Sequence, residues 1–462
     1  MIRGLTSRQV LLVAFETVLI VSAVAIAAYV RLGESAWTLL VNRLGLSQVL
    51  ILAGVTQTCL YYADLYDFRV VADRRELFIR ILQALGTASF ILAGIYFWFP
   101  DMMVGRGVFL GTVVLVIVFV LSWRVLFDWL DQRVAPRERL LLVGTSDAAV
   151  TLAKELHDRR HELGVNIVGF VDPDPARVGA PVLNPGVIGV VDDIPAIVES
   201  RGVDRVVVSL ADARGKLPMN RLLEMKLGGG VTFDHLASVY EEYTGKIAVE
   251  NLRPSWLIFS EGFHKSRAVE IGKRLLDVVF AILLIALTGP IMLLVALLVR
   301  LTSKGPALYH QKRVGLNGHV FEVHKFRSMR TDAEAGTGAV WARANDSRVT
   351  PIGRFLRRTR LDELPQLWNV LKGDMSLVGP RPERPEFVAD LTEKIPFYGF
   401  RHVVRPGLTG WAQVRYTYGA SVEDALEKLQ YDLFYIKHLS VSFDLFVLFS
   451  TVKTVILRRG AQ

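Results

Sequence analysis

Residues 278–299 read VVFAILLIALTGPIMLLVALLV, a run of 22 residues without a charge. Gly289 and Pro290 interrupt this run, and proline removes a backbone donor and clashes with the preceding turn, so we expect a sharp bend there. Basic residues flank the run on both sides. A crossing helix would leave one basic cluster outside the cell, against the usual charge distribution. We therefore favour a re-entrant helix–break–helix at about residues 275–300, with a kinked spanning helix as the alternative.

Four further apolar stretches precede this run, at residues 10–30, 46–62, 77–99 and 108–130. Each is close to the ~20 residues that a bilayer requires. In a four-span arrangement most of the flanking arginines fall on one side, which predicts that both ends of residues 1–135 are cytoplasmic. Glu16 lies inside the first stretch, where we favour a structural hydrogen bond over capture of a lipid head group.

Residues 136–262 change to short β-rich runs that alternate with helical ones. Strands are expected at residues 140–144, 165–171 and 203–210, and helices at 148–163 and 194–201, which indicates a parallel, Rossmann-like α/β domain. The turn at residues 144–149 resembles a dinucleotide fingerprint with one of its three glycines, and Asp172 stands near the position of a ribose ligand. Because Asp-Pro-Asp-Pro also reads as a turn, we favour a regulatory or scaffolding role over nucleotide binding.

The charge of the chain is concentrated in its last third. The net charge is +9 overall, whereas residues 265–462 hold 29 Lys and Arg against 18 Asp and Glu. A basic surface suits nucleic acid, anionic lipid or a phosphorylated small substrate, and charge alone does not choose among them. The single cysteine, Cys59, excludes an internal disulfide and any zinc or iron–sulfur site built on several cysteines.

Two adjacent carboxylates, Asp362 and Glu363, follow a basic run at residues 354–360. At the start of a helix both can point into one site beside free backbone N–H groups. Mg²⁺ prefers one or two carboxylates plus phosphate oxygens, which would leave the other carboxylate free to attack phosphorus. The alternative is a pair of helix-capping acids that the neighbouring arginines neutralise.

Arg381 stands between Pro380 and Pro382, which fix the backbone on either side of it. A guanidinium held in this way matches a phosphate group well. Lys325 and Arg327 add two further cations. Together with the carboxylate pair, these residues favour a diphosphate site.

Five segments carry a resemblance to a known family: residues 311–315, 325–329, 361–369, 372–382 and 405–414. In order and spacing they resemble the bacterial sugar transferase family of monotopic polyprenyl-phosphate phosphoglycosyl transferases, over about residues 265–459. The N-terminal spans and α/β domain are similar to the large undecaprenyl-phosphate hexose-1-phosphate transferases. Residues 414–421 depart from the commoner family ending and look like an exopolysaccharide branch encoded beside exosortase, which leaves the sugar open. Arg360 stands where many relatives have serine.

The resemblance implies transfer of a sugar 1-phosphate from a UDP-sugar, commonly UDP-glucose or UDP-galactose, to undecaprenyl phosphate, with release of UMP. It assigns Asp362 as the nucleophile that forms an aspartyl-phosphosugar intermediate and Glu363 as the Mg²⁺ ligand. It also implies a bacterial inner-membrane protein with its catalytic domain on the cytoplasmic face, a homodimer, and no nucleic-acid partner. The residues to which we assign substrate binding are Lys325, Arg327, Arg354, Asp374, Arg381 and Arg405.

The sequence thus predicts a membrane protein with three parts. They are an α-helical transmembrane bundle, an α/β Rossmann-like middle domain, and a mixed α/β catalytic domain at residues 263–462 anchored by a re-entrant membrane helix. A non-catalytic membrane scaffold of polysaccharide assembly is the alternative, and it would not need Asp362, Glu363 and Arg381 in this arrangement. An oxidoreductase would need an intact glycine fingerprint, which the middle domain lacks.

Overall fold

The structure, a computed structural model, describes residues 7–36, 43–63, 65–66, 74–103, 105–133, 138–209, 217–249, 262–263, 266–333, 346, 348–416, 419 and 421–456. The chain forms two compact units. One lies within Leu5–Asp234 and the other within His235–Gln462.

The first unit begins with four long helices: α1 (Ser7–Leu32), α2 (Arg43–Tyr62), α3 (Arg74–Trp98) and α4 (Arg106–Arg133). Helix α1 packs against α2 and α4, and α2 packs against α3. Across the described residues, four segments are long and apolar enough to cross a membrane: Val10–Leu32, Leu77–Trp98, Gly107–Phe127 and Arg267–Thr302. The four apolar stretches predicted near the N-terminus correspond to α1, α2, α3 and α4. The stretch in α2 is not among the four segments that are long and apolar enough to cross a membrane.

A buried polar cluster ties α1 to α4. Arg124 Nε lies 2.6 Å from Glu16 Oε1, and both side chains are almost fully buried. The Tyr66 hydroxyl donates to Glu16 Oε2 over 2.5 Å, and Arg124 also donates to the Leu65 carbonyl. A charge inside an apolar bundle is costly unless it is paired, so Glu16 serves as a structural partner of Arg124.

The rest of this unit is an α/β domain. Its elements are β1 (Glu138–Val143), α5 (Asp147–Asp158), α6 (Arg160–Leu163), β2 (Val165–Asp172), β3 (Val187–Val190), α7 (Ile194–Arg201), β4 (Arg205–Val208), α8 (Met219–Gly228) and β5 (Thr232–His235). The strands form one sheet in the order β3-β2-β1-β4-β5, and β1 pairs in parallel with β2 and β4. The predicted parallel α/β domain is confirmed, and the helix expected at residues 148–163 is divided at Arg159.

The second unit contains the chemistry-bearing segments. Its elements are α9 (Leu236–Thr244), α10 (Arg267–Thr302), β6 (Leu308–Val314), β7 (Val320–Phe326), α11 (Pro351–Thr359), α12 (Gln366–Lys372), β8 (Ser376–Val378), α13 (Pro385–Lys394), β9 (Gly407–Thr409), α14 (Trp411–Arg415), α15 (Val422–Lys437) and α16 (Val441–Ile456). Strands β6 and β7 form an antiparallel hairpin, and β8 pairs in parallel with β9. Helix α15 buries eight consecutive residues, from Leu429 to Ile436, and is a core helix.

Both ends of α10 are attached to this unit. At its first turns Lys273 lies 2.5 Å from Asp444 and donates to the Val378 carbonyl, and Asp277 accepts from the Leu377 N–H. At its other end Val295 and Val299 pack with Phe326 and Leu356. Between these attachments most of the apolar side chains of α10 are exposed.

Candidate active site

Helix α11 leads directly into the carboxylate pair. Thr350 begins it, because the Thr350 hydroxyl accepts from the Gly353 N–H over 3.0 Å and Pro351 takes the first helical position. A Cβ at Gly353 would lie 1.9 Å from the Ser328 carbonyl oxygen. Glycine is thus required at this position for α11 to pack against the chain that follows β7.

Arg360 ends α11 in the left-handed conformation, with φ of 56°. A short 3₁₀ turn, Leu361–Glu363, follows at once and presents both carboxylates ahead of α12. The left-handed conformation costs a residue with a side chain about 1 kcal/mol. Such strain persists where the surrounding structure enforces it and is concentrated at functional sites.

Three cationic side chains surround Glu363. Arg381 Nη2 donates to Glu363 Oε1 over 3.0 Å, and Lys325 Nζ lies 3.7 Å from the same oxygen. Arg360 Nη1 lies 3.6 Å from the other oxygen, Oε2. The structure therefore brings Lys325 and Arg381 to the carboxylate pair of Asp362 and Glu363.

The two neighbouring carboxyl groups have opposite pKa shifts. Burial and the charge of Glu363 raise the pKa of Asp362 above its usual range, although Lys325, Arg357 and Arg381 oppose this. Burial also acts to raise the pKa of Glu363, but Arg381, Lys325 and Arg360 lower it to about 2. Burial lowers the pKa of Lys325 to about 8, against the attraction of Glu363. Glu363 is thus the strongly ionised member of the pair. Both carboxyl groups are poorly solvated, since Asp362 is 8% exposed and the Glu363 side chain 13%.

The other predicted site residues lie elsewhere. Arg327 is buried and donates to the Ser303 and Lys304 carbonyls, so its guanidinium holds the end of α10. Arg354 is exposed on α11. Asp374 and Arg405 lie at the far end of α12, where Arg405 donates to the Gly373 carbonyl over 3.0 Å. The structure does not bring these four residues to the carboxylate pair.

A cavity of about 900 Å³ opens beside Glu363. Arg360, Glu363 and Arg381 form part of its polar lining. Its apolar walls come from α10, through Phe280, Leu283 and Leu284, and from α16, through Leu445, Leu448, Phe449 and Val452. Glu363 therefore lies where a charged lining meets an apolar one.

The donor set fits a magnesium ion that is completed by its substrate. Among the described residues no group of three or more His, Cys, Asp and Glu side chains is arranged to hold a metal. Mg²⁺ is commonly bound through one or two carboxylates together with substrate phosphates rather than in a cage made by the protein alone. Asp362 and Glu363 provide such a pair.

In the middle domain, the polar groups at the fingerprint-like turn bond to one another. The Thr145 hydroxyl donates to Asp172 Oδ2 over 2.6 Å, and Arg177 donates to the Thr145 hydroxyl. Ser146 caps α5 through the Ala149 N–H. The regulatory or scaffolding role favoured over nucleotide binding for this domain stays a prediction.

Two arginines near the site had no assigned role in the sequence analysis. Arg313 donates to the Pro382 carbonyl over 3.1 Å, and Arg401 donates to the Arg381 carbonyl over 3.1 Å. Arg313 lies inside a family-like segment, and Arg401 precedes another by four residues. The sequence positions of Arg313 and Arg401 do not show that both contact the loop of Arg381, residues 380–383.

Comparison with known families gives two matches. The bacterial sugar transferase family matches residues 268–458, which contain α10, the hairpin and the carboxylate pair. A family described as a CoA-binding domain matches residues 62–222.

Curated proteins extend this similarity. The chain is 39% identical, over 56% of its length and 60% of the relative, to the UDP-N-acetylgalactosamine-undecaprenyl-phosphate N-acetylgalactosaminephosphotransferase of Aeromonas hydrophila. It is 33% identical, over 70% of its length and 60% of the relative, to the undecaprenyl-phosphate glucose phosphotransferase of Komagataeibacter xylinus. It is also 33% identical, over 70% of its length and 68% of the relative, to the UDP-glucose:undecaprenyl-phosphate glucose-1-phosphate transferase of Xanthomonas campestris pv. campestris. The matches to the first two relatives span about 60% of their length.

Proposed function

The chain belongs to the bacterial sugar transferase family, and from this premise we propose that it transfers a sugar 1-phosphate from a UDP-sugar to undecaprenyl phosphate. The products are undecaprenyl-diphosphate-sugar and UMP. The observation that carries this proposal is the pairing of a buried, poorly solvated Asp362 with a Glu363 held by three cations. A scaffold has no use for such a pair.

In the first half-reaction an oxygen of Asp362 attacks the phosphorus that bears the sugar. The bond from that phosphorus to the bridging oxygen breaks, and the electron pair leaves with UMP. A carboxylate that water solvates poorly is a better nucleophile than a fully hydrated one. Arg381 and Lys325, within 4 Å of Glu363, place positive charge where the diphosphate gathers negative charge.

In the second half-reaction an oxygen of the lipid phosphate attacks the same phosphorus. The acyl-phosphate bond breaks and Asp362 returns as a carboxylate, so atoms and charge balance over the cycle. Since one site serves both steps, the soluble donor and the lipid acceptor need never be bound together.

Glu363 would hold Mg²⁺, with Asp362 beside it. When bound, the ion supplies charge that neutralises the phosphate oxygens. Glu363 is suited to this role because its pKa of about 2 keeps it ionised at any physiological pH.

The cavity supports a lipid acceptor. Its charged lining at Arg360 and Arg381 suits a phosphate head group, and its walls from α10 and α16 suit an isoprenoid chain. Several of these wall side chains, among them Leu283, Leu445 and Phe449, are also exposed at the surface, which is typical of contact with lipid.

The attachments of α10 support a re-entrant helix. A straight helix would separate Arg274 from Ser303 by about 44 Å. Yet Arg274 donates to the Val370 carbonyl in α12 and Arg327 holds Ser303, while the His324 N–H donates to Asn369. His324 and Arg327 are three strand residues apart, about 10 Å. A bend that brings both ends of α10 to one membrane face accounts for these contacts.

The proposed setting is the cytoplasmic face of a bacterial inner membrane, in the initiating step of exopolysaccharide synthesis. Glucose and galactose are the proposed sugars. Because relatives named for glucose and for N-acetylgalactosamine both match the chain, the donor is to be identified by assay.

The test is UMP release by detergent-purified protein with Mg²⁺ and a panel of UDP-sugars, with and without undecaprenyl phosphate. We expect multiple turnovers from one sugar only when the lipid is present. Asp362→Asn should lower turnover by at least about a hundredfold, since it removes the nucleophile while keeping the shape of the side chain. Full turnover in that variant, which must first be shown to be folded and in the membrane, would remove the proposed mechanism.

A further inference from the structure

We propose that Arg401 is a positioning residue that fixes Arg381 against Glu363, with Asp432 and Tyr398 holding Arg401 in place; this inference rests on the proposed function. Arg401 does not contact the carboxylate pair. It acts on the backbone of the residue that does.

The loop of Arg381 is held at every carbonyl from residue 380 to residue 383. Two of the donors are backbone N–H groups: Gly407 to Pro380 over 2.9 Å, and Val314 to Glu383 over 2.9 Å. The other two are guanidinium groups: Arg401 to the Arg381 carbonyl and Arg313 to the Pro382 carbonyl, each over 3.1 Å.

These bonds decide where the side chain of Arg381 points. Pro380 and Pro382 already fix φ on either side, so the remaining freedom of this segment is largely the orientation of the peptide that follows Arg381. The bond from Arg401 sets that orientation. Arg381 Nη2 then reaches Glu363 Oε1 at 3.0 Å, although its side chain is 40% exposed.

Arg401 is itself held rigidly. It is 5% exposed, lies 2.7 Å from Asp432 Oδ2 in α15, and donates to the Tyr398 hydroxyl over 2.7 Å. Asp432 is 2% exposed. A buried ion pair is weak grounds for stability, because desolvation offsets the attraction, so a role in fixing one conformation suits it better.

A double-mutant cycle tests the inference. Arg401→Lys keeps the charge beside Asp432 and loses the forked donor, and Arg381→Ala removes the group that Arg401 is proposed to position. A displacement of the Arg381 guanidinium by about 1 Å can lower the rate on the order of a hundredfold. We therefore expect Arg401→Lys alone to lower kcat/KM for the UDP-sugar at least about tenfold. In the Arg381→Ala background it should cost less than about twofold more, because the two residues act as one unit.

The matched control is Glu241→Gln, which breaks the buried ion pair between Glu241 and Lys437, 2.6 Å apart. Lys437 lies in α15, as Asp432 does, but this pair does not contact the loop. We expect it to lower the melting temperature and leave kcat/KM within about twofold of wild type. Should Arg401→Lys fold poorly, Tyr398→Phe offers a milder change that removes one hydroxyl and keeps the pair with Asp432.

The outcomes separate the two proposals. Equal losses from Arg401→Lys in both backgrounds would show a general structural role and overturn this inference alone. Unchanged UMP release in Arg381→Ala would overturn the assignment of Arg381 in the proposed function, and this inference with it.

Discussion

At the scale of single residues, two adjacent carboxyl groups are given different chemical characters by their surroundings. Glu363 faces Arg360, Arg381 and Lys325, and its pKa is about 2. Asp362 is buried next to that charge, and its pKa is raised. Their environments divide one pair of similar groups into a firmly ionised carboxylate and one with a raised pKa, to which we assign the nucleophilic role.

This division predicts that Glu363→Gln acts mainly through Mg²⁺. The neutral amide should raise the half-maximal Mg²⁺ concentration for UMP release at least about tenfold, because one charged ligand is lost. The measurement is a Mg²⁺ titration of initial rates. Glu386→Gln is the control, since that exposed carboxylate lies outside the site. An unchanged Mg²⁺ requirement in Glu363→Gln would exclude Glu363 as the ligand.

The carboxylates, Lys325 and Arg381 could be predicted as site residues from the sequence, because residue type and local backbone limit the chemical roles open to them. The sequence did not predict the position of Arg327, whose guanidinium donates to carbonyls near the end of α10. A guanidinium can donate hydrogen bonds to a phosphate or to the carbonyls at the end of a helix. Which of the two lies near it depends on the fold. The same holds for Arg401.

At the scale of elements, α10 is packed near both of its ends and carries a long exposed apolar stretch between them. It contains 36 residues, about 54 Å if straight, yet both of its ends pack on the same unit. The structure keeps residues 267–302 in one helix that contains Pro290. The proposed re-entrant course requires a bend at this proline, which leaves the Ala286 carbonyl without its helical partner.

Cysteine labelling tests this arrangement. Cys59→Ala gives a background without cysteine, into which Glu270→Cys and Lys304→Cys introduce exposed residues beside the two ends of α10. The proposed re-entrant course puts both ends of α10 on the cytoplasmic side. In intact spheroplasts we therefore expect an impermeant maleimide to label neither position, and to label both after permeabilisation.

Glu34→Cys, in the loop after α1 that is assigned to the opposite face, is the control and should be labelled from outside. Labelling of only one of the two α10 positions from outside would contradict the re-entrant helix and favour a spanning one.

Elements with a clear period were predicted well. The parallel strands β1, β2 and β4 and helix α7 fall where alternation and apolar spacing place them. Helix α9 shows the limit of such reasoning. It packs in the second unit through the bond of Tyr240 to Gln430, 190 residues away. A local pattern has no information about such a distant partner.

At the scale of the whole molecule, contacts between residues far apart in the sequence could not be predicted from the sequence. The buried position of Glu16 is visible in the sequence, but its partner Arg124 lies 108 residues further along. In the second unit, β6, the turn after α11, the loop of Arg381 and α15 are far apart in sequence. They supply Arg313, the carboxylate pair, Arg381 and Asp432. Proximity of this kind comes from the fold as a whole.

The central claim is that Asp362 carries the sugar 1-phosphate between two half-reactions. Its most direct test is to incubate purified protein with the UDP-sugar and Mg²⁺ without lipid, and to follow UMP and the mass of the peptide that contains Asp362. We predict about one UMP per chain and a phosphosugar on Asp362, discharged on addition of undecaprenyl phosphate and absent from Asp362→Asn. Release of UMP only when donor and lipid are present together, with no modified peptide, would contradict the claim.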